Sequence, residues 1–157
     1  MNFKAFNTVK TEESTNVWLT PRELLDKLGH FDLDPCASTI RPWDCADTNY
    51  TKEDNGLIQE WFGRVWCNPP YGSEAYPFLK KFSEYNGPGL MLLFTRTDIK
   101  AWHDYIFPTA KYLFFIKGRL KFCRPDGSQK ATANAASCLI AWDESEFELL
   151  KKLEKEG

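Results

Sequence analysis

An α/β domain, with a mostly parallel sheet and an antiparallel C-terminal hairpin, is predicted by three features of this 157-residue chain. Short apolar runs alternate with helical stretches, the pattern of strands and helices laid on one sheet. One run, Leu90-Met91-Leu92-Leu93-Phe94, is apolar without interruption, as in a central strand buried on both faces. The last two runs, 112–116 and 137–142, flank a turn-rich loop and read as antiparallel partners.

Residues 1–17 are polar and aperiodic, and read as a flexible arm ahead of a single domain over 18–157. Trp18-Leu19-Thr20-Pro21 opens that domain. Thr20 stands at a helix N-cap, Pro21 suits the first helical position and Glu23 completes a capping box. Leu24, Leu25 and Leu28 share a face and Gly29 stops the helix. Phe31 and Leu33 alternate with Asp32 and Asp34 in a short strand that Pro35 turns. Residues 39–63 are mixed: Asp44, Asp47 and Asn49 mark polar turns, Glu53-Asp54-Asn55-Gly56-Leu57 a loop, and Trp61 and Phe62 should be at least half-buried.

Val65 to Cys67 is a strand that Pro69 and Pro70 end, because neither can donate a backbone N–H. Phe78, Leu79 and Phe82 give the inner face of a helix over 73–86, broken by Asn86-Gly87-Pro88-Gly89. After the central strand, residues 95–98 leave on the same edge as Asn68 if the two strands are parallel. Ile99, Trp102 and Ile106 mark a helix closed by Pro108. Residues 118–122 continue the next strand as an extended basic segment, and Pro125-Asp126-Gly127 turns it. Phe147, Leu149, Leu150 and Leu153 mark a last helix from Glu146 to Lys155.

Composition narrows the class. At 43% hydrophobic and 15% aromatic, the chain can bury a core and is too apolar for disorder. No apolar run is long enough to span a membrane, and Met1 to Phe6 lack a signal peptide's apolar core, so a cytoplasmic protein is expected. Cys36, Cys45, Cys67, Cys123 and Cys138 are odd in number with no C-x-x-C pair, and His30 and His103 have no Cys or His at metal-site spacing. Neither a disulfide framework nor a metal site is expected. Net charge is −2, which argues against a wholly basic DNA binder, but the charge is uneven. Residues 111–130 hold six basic side chains against Asp126 alone, whereas 143–157 hold six acids against three lysines. A basic face on an acidic molecule suits a nucleic-acid substrate, and it also suits a solvated hairpin.

Most of the functional information lies in Asn68-Pro69-Pro70-Tyr71, a rigid polar elbow at the end of a buried strand, where open α/β sheets place ligands. The chemistry it suits is methylation of a planar amine whose lone pair is delocalised. The Asn68 side-chain oxygen and the Pro69 carbonyl could each take one N–H and aim the nitrogen lone pair at a sulfonium methyl. Pro70 would stiffen the turn and Tyr71 offer a flat face to an unstacked base. The same four residues also fit a surface turn or a proline-rich partner ligand. Upstream, the capped start at Thr20-Pro21 could hold a carboxylate, such as that of a methionine-derived cofactor. Asp34 at a strand's end could meet the ammonium of an amino-acid moiety, or simply form a turn.

Taken in order, Trp18-x-Thr20-Pro21, Phe31-Asp32-Leu33-Asp34-Pro35-Cys36-Ala37, Glu53-Asp54-x-Gly56-Leu57, Trp66-Cys67-Asn68-Pro69-Pro70-Tyr71-Gly72 and Gly118-Arg119-Leu120-Lys121-Phe122 make the chain resemble the bacteriophage DNA N6-adenine methyltransferase (Dam-type) family over about residues 16–142. The resemblance implies a Rossmann-like, S-adenosylmethionine-dependent DNA methyltransferase of a bacterial host cell, phage- or prophage-encoded. It implies that Trp18, Thr20 and Pro21 lie near the cofactor's methionine carboxylate, that Asp34, Pro35 and Cys36 form the cofactor motif after the first strand, and that Asp54 lies toward the adenosine. It makes Asn68, Pro69, Pro70 and Tyr71 catalytic, Phe122 a second aromatic wall of a flipped-base pocket, and Arg119 and Lys121 phosphate contacts. Cys36-Ala37-Ser38 stands where methyltransferase cofactor loops commonly carry glycines. No long insertion offers a separate target-recognition domain, which leaves room for a homodimer on double-stranded DNA. The elbow alone also admits cytosine N4, RNA adenine or a glutamine amide as substrate, and the chain could instead be a non-catalytic nucleic-acid-binding module.

Overall fold

In the computed structural model, which describes residues 18–129, 132, 133 and 135–156, the described strands are β1 (Leu33–Asp34), β2 (Thr48–Asn49), β3 (Val65–Cys67), β4 (Gly89–Phe94), β5 (Tyr112–Phe115) and β6 (Ser137–Ala141). They form one sheet in the order β2-β1-β3-β4-β6-β5. β1 to β4 run parallel, and β6 is antiparallel to both β4 and β5. The mixed α/β class and the β5–β6 hairpin agree with the sequence expectation. The hairpin folds back so that β6, not β5, lies against β4, which buries all five residues of β6. The expected N-terminal arm, residues 1–17, lies outside the described residues.

Side chains alternate across this sheet, as strand geometry requires. Val65, Cys67, Met91, Cys138 and Ile140 face one way, onto Leu79 and Phe82 of helix α2 (Ala75–Tyr85) and onto Trp102 and Ile106. Trp66, Leu90, Leu92, Leu139 and Ala141 face the other way, onto Leu25 and Leu28 of α1 (Arg22–Leu28) and Leu150 of α3 (Phe147–Glu156). The result is a sheet between two helical layers. Gly89 allows β4 to start tight against β3, since a β-carbon there would sit 2.1 Å from the Val65 carbonyl oxygen.

Three local expectations are corrected. Thr20 does not cap α1; Pro21 holds the N-cap position and no side chain caps it, because the Thr20 hydroxyl is drawn into the core. Residues 102–106 are a π-helical turn, with Phe107 N–H donating to Trp102 O at 2.9 Å. β2 was hidden among the turns of 39–63: its two half-buried residues belong to the sheet through the backbone alone.

Arg64, just before β3, ties the layers together. Its guanidinium donates to Glu146 twice, at 2.7 and 2.8 Å, and to the Leu28 and His30 carbonyls at 2.7 and 3.0 Å. It also lies over the Phe31 ring at 4.2 Å. A planar fork of donors can cap the end of α1 and pair with a carboxylate at once. Among the described residues, no helix is long and apolar enough to cross a membrane.

Candidate active site

The chain places β2 on one side of β1 and β3 on the other, so the strand order reverses between β1 and β3. In open α/β sheets, ligands bind outside the carboxyl ends of the strands at such a reversal. Asp34-Pro35-Cys36 leaves β1 at this point and Asn68-Pro69-Pro70-Tyr71 leaves β3. Because β3 and β4 are parallel, Thr95 and Arg96 emerge on the same edge.

Asp34 is 5% exposed. Its Oδ1 accepts the Cys36 N–H at 3.0 Å, and among the described residues no donor reaches its other oxygen. Burial pushes its carboxyl up to about 7, opposed by that N–H and, more weakly, by the charge of Arg41. The following loop is pinned by Tyr50, whose N–H donates to Asp34 O at 2.8 Å and whose carbonyl accepts from Ala37 N–H at 2.9 Å. Gly56 presses on the same loop, for a β-carbon there would stand 1.9 Å from the Pro35 carbonyl oxygen.

The Asn68 side chain is held by its amide nitrogen. Nδ2 donates to the Trp18 carbonyl at 2.8 Å and to Thr20 Oγ1 at 3.2 Å. A carbonyl can only accept, so the nitrogen faces inward and Oδ1 is turned the other way. Among the described residues, neither Asn68 Oδ1 nor the Pro69 carbonyl receives a hydrogen bond. The Asn68 backbone carbonyl accepts from the Cys36 thiol at 3.2 Å, which ties the β1 loop to the β3 elbow. Trp18 and Leu19 are held by pairing with Cys123: Leu19 N–H donates to Cys123 O at 3.1 Å, and Cys123 N–H returns to Leu19 O at 2.9 Å.

Tyr71 joins a cluster of four rings. It stacks on Phe94 with centroids 4.4 Å apart and planes 20° from parallel, and meets Trp18 and Phe122 edge-on at 5.7 and 6.5 Å. Burial raises its phenol well above the usual range. Phe122 is fully buried, so it forms the floor of this cluster and not an open wall.

The residues expected from the sequence therefore converge in large part. Asn68 bonds Trp18 and Thr20, Trp18 in turn meets the rings of Tyr71 and Phe122, and Cys36 links Asp34 to Asn68. Pro35 and Pro69 are buried, Pro70 is half-buried, and Pro21 starts α1. Asp54 is exposed and closes its own turn by accepting from Thr51 N–H at 2.9 Å. Its loop reaches the β1 end through Gly56. Arg119 and Lys121 are exposed, the latter next to Phe122 in sequence. Sequence reasoning missed Phe94 as the partner of Tyr71; its place at the carboxyl end of an apolar strand was the available signal. It also missed the trio of exposed His30 and Asp47 with half-buried Asp32 at the amino edge of β1 and β2, with His30 Nε2 2.7 Å from Asp47 Oδ2. An open cleft lined by Gly29, His30, Phe31 and Asp44 to Asp47 lies at that amino edge and includes none of the converging residues.

A parallel switch point carrying a buried carboxylate on one strand and an Asn-Pro-Pro-Tyr elbow on the next lies where open α/β sheets place their ligands. The family model described as DNA N-6-adenine-methyltransferase (Dam) matches residues 7–152, and the chain belongs to that family of DNA adenine methyltransferases. No curated protein and no solved structure shows significant similarity to it.

Proposed function

We propose that the chain transfers a methyl group from S-adenosylmethionine to adenine N6 in double-stranded DNA, with the base flipped into the crevice beside Asn68. The observation that carries this reading is the orientation of Asn68. With its amide nitrogen bound to Trp18 O and Thr20 Oγ1, Oδ1 is the atom left to accept, one residue before the unengaged Pro69 carbonyl.

Adenine's exocyclic amine is planar and a poor nucleophile because its lone pair is delocalised into the ring. Asn68 Oδ1 and Pro69 O each accept one of its N–H groups, which favours a tetrahedral nitrogen with an available lone pair. As the carbon–nitrogen bond forms and the methyl–sulfur bond breaks, its electron pair leaving on a neutral thioether, positive charge would grow on nitrogen, and the same two fixed dipoles would stabilise it without reorganising. One N–H proton then passes to water. Phe94 backs one face of Tyr71, and the base stacks on the other. Arg119 and Lys121, exposed beside the aromatic floor, contact phosphate.

The residues at the β1 edge fit the cofactor. Asp34 is a buried carboxylate with no cation in salt-bridge contact among the described residues, which suits the ammonium of an amino-acid group. Asp34, Pro35 and Cys36 would hold that end, the main chain of Trp18 to Pro21 the carboxylate, and the Asp54 loop the adenosine, in a Rossmann-like arrangement. Bound there, S-adenosylmethionine supplies an electrophilic methyl group on a sulfonium sulfur.

Tritium transfer measured in parallel on DNA, RNA and protein tests the reading. Label should appear as N6-methyladenine in DNA, and Asn68→Ala should cut the rate by roughly 100-fold or more. Label in cytosine, RNA or glutamine would transfer the same chemistry to another planar nitrogen. An Asn68→Ala protein near the wild-type rate would sink the mechanism, and absence of cofactor binding by calorimetry would favour a non-catalytic nucleic-acid-binding module.

A further inference from the structure

The geometry points to Thr20 as a positioning residue, whose hydroxyl is the second anchor of an Asn68 carboxamide that the Trp18 carbonyl already turns amide-inward. The inference rests on reading Asn68 as an acceptor for the target amine. Two other uses for Thr20 follow from its sequence context, a helix cap and a contact to a cofactor carboxylate. The cap is not made. For the second, Thr20 is 3% exposed and its hydroxyl is already shared inside the protein.

Thr20 Oγ1 accepts from Asn68 Nδ2 at 3.2 Å and from Trp66 Nε1 at 3.2 Å. A hydroxyl has two lone pairs and one proton. Two N–H donors use both lone pairs, and the hydroxyl proton is left to point toward the nearby Cys45. The Thr20 carbonyl is taken too, by Trp43 Nε1 at 3.2 Å. Among the described residues, the polar group of Thr20 that no partner takes is its N–H.

A primary amide can turn over and present NH2 where its oxygen was. Trp18 O satisfies one N–H of Asn68 and Thr20 Oγ1 the other, so a turned-over Asn68 would set its oxygen against the Trp18 carbonyl, which can only accept, and would force the Thr20 hydroxyl to reorient its proton. Trp66 strengthens the restraint. It is fully buried, and its indole N–H occupies one Oγ1 lone pair, which fixes the position of the Thr20 side chain beside Asn68. Valine at position 20 would keep the shape and lose the acceptor.

Steady-state transfer to adenine-methyl-free genomic DNA, with cofactor affinity read by calorimetry, tests this on the full chain. Thr20→Val should lower kcat roughly 10- to 100-fold, with cofactor Kd and DNA KM within about twofold of wild type. Thr20→Ser should recover most of the rate. Trp66→Phe removes the other donor to the same oxygen; it should lose thermal stability and keep kcat within about threefold. The inference is overturned if Thr20→Val keeps its kcat, if it loses cofactor affinity instead, or if Trp66→Phe loses as much kcat as Thr20→Val. A structural readout stands apart from activity: in the wild-type protein, Asn68 side-chain amide protons should show nuclear Overhauser contacts to Thr20 and to the Trp66 indole proton. Their absence overturns the inference even where Thr20→Val does not fold. A wild-type chain that shows these contacts and methylates no DNA would leave the Thr20–Asn68 link standing and remove the functional reading.

Discussion

Cofactor affinity should pass through a maximum between pH 7 and 8, and Asp34 should own the acid limb. Burial holds its carboxyl at about 7 in the free protein. If an ammonium seats against Asp34, the competent form needs Asp34 ionised and the cofactor's α-amino group protonated, the latter with a pKa of about 7.8. The product of the two fractions is about 0.09 at pH 6 and about 0.5 at pH 7.4, so affinity should rise about sixfold over that span. It should then fall again by pH 8.5 as the ammonium deprotonates. Calorimetry at four or five pH values, in buffers of different ionisation enthalpy, reads both the affinity and the proton released on binding. Asp34→Asn should bind weakly and lose the rise below pH 7.4. A wild-type affinity flat from pH 6 to 7.4, or the same slope in Asp34→Asn, would refute the placement of a cation at Asp34.

The same group makes a stability statement with a definite sign. Asp34 ionises near 3.8 when unfolded and at about 7 when folded. Its contribution to stability is therefore fully present below 3.8 and declines as pH rises, until it is gone above about 7. Across that window the loss is on the order of 4 kcal/mol. Asp34→Asn keeps a side-chain oxygen for the Cys36 N–H and carries no charge, so it should raise the melting temperature more at pH 8 than at pH 5. A site that costs stability when empty and binds a cation when ionised is the trade expected of a ligand-binding carboxylate.

Further expectations concern other parts of the site. Tyr71→Ala should weaken DNA binding by about 1–3 kcal/mol through lost stacking, measured by fluorescence anisotropy, whereas Tyr71→Phe should stay close to wild type because no described residue hydrogen-bonds the phenol. Gly56→Ala places a β-carbon 1.9 Å from the Pro35 carbonyl oxygen, so it should lower stability by about 1–3 kcal/mol and weaken cofactor binding together. Glu146→Ala strands Arg64 among buried groups and should cost about 3–5 kcal/mol in chemical denaturation, with kcat unchanged below the transition.

The sheet's centre was legible because its residues leave little choice. The unbroken apolar run of β4 and the apolar run of β6 need burial on both faces, and the two prolines after β3 must end a ladder. β2 was not legible, because Thr48 and Asn49 carry no apolar pattern and pair through the backbone. The helical period over 99–106 is common to α and π turns, so it could not distinguish them. At the site, the strand-end positions of Asp34 and Asn68 were readable, since strand order and direction place them. Thr20 was misread locally: Thr-Pro-x-Glu satisfies a capping rule, yet the hydroxyl bonds residues 46 and 48 positions away. Likewise, Tyr71 against Phe94, with Phe122 sealed beneath, follows from neighbouring strand ends and not from spacing along the chain.

The departure at Cys36-Ala37-Ser38 acquires a physical meaning in three dimensions. Glycines in a cofactor loop serve close backbone approach. Here the close approach to the β1 end is made by Gly56, from the loop after β2, against the Pro35 carbonyl. Position 36 is thereby released for a side chain, and the cysteine uses it: its thiol donates to the Asn68 carbonyl at 3.2 Å and lies 3.6 Å from Cys67 Sγ. The hydrogen bond with Cys67, and then burial, raise the Cys36 thiol well above its ordinary range, so it stays protonated and remains a donor. The same residue gives its N–H to Asp34 and its S–H to the backbone of the elbow. Asp34 and Asn68, each with an acceptor oxygen unengaged among the described residues, are thus joined through one residue, and this cross-tie stiffens a loop that glycines would have left loose.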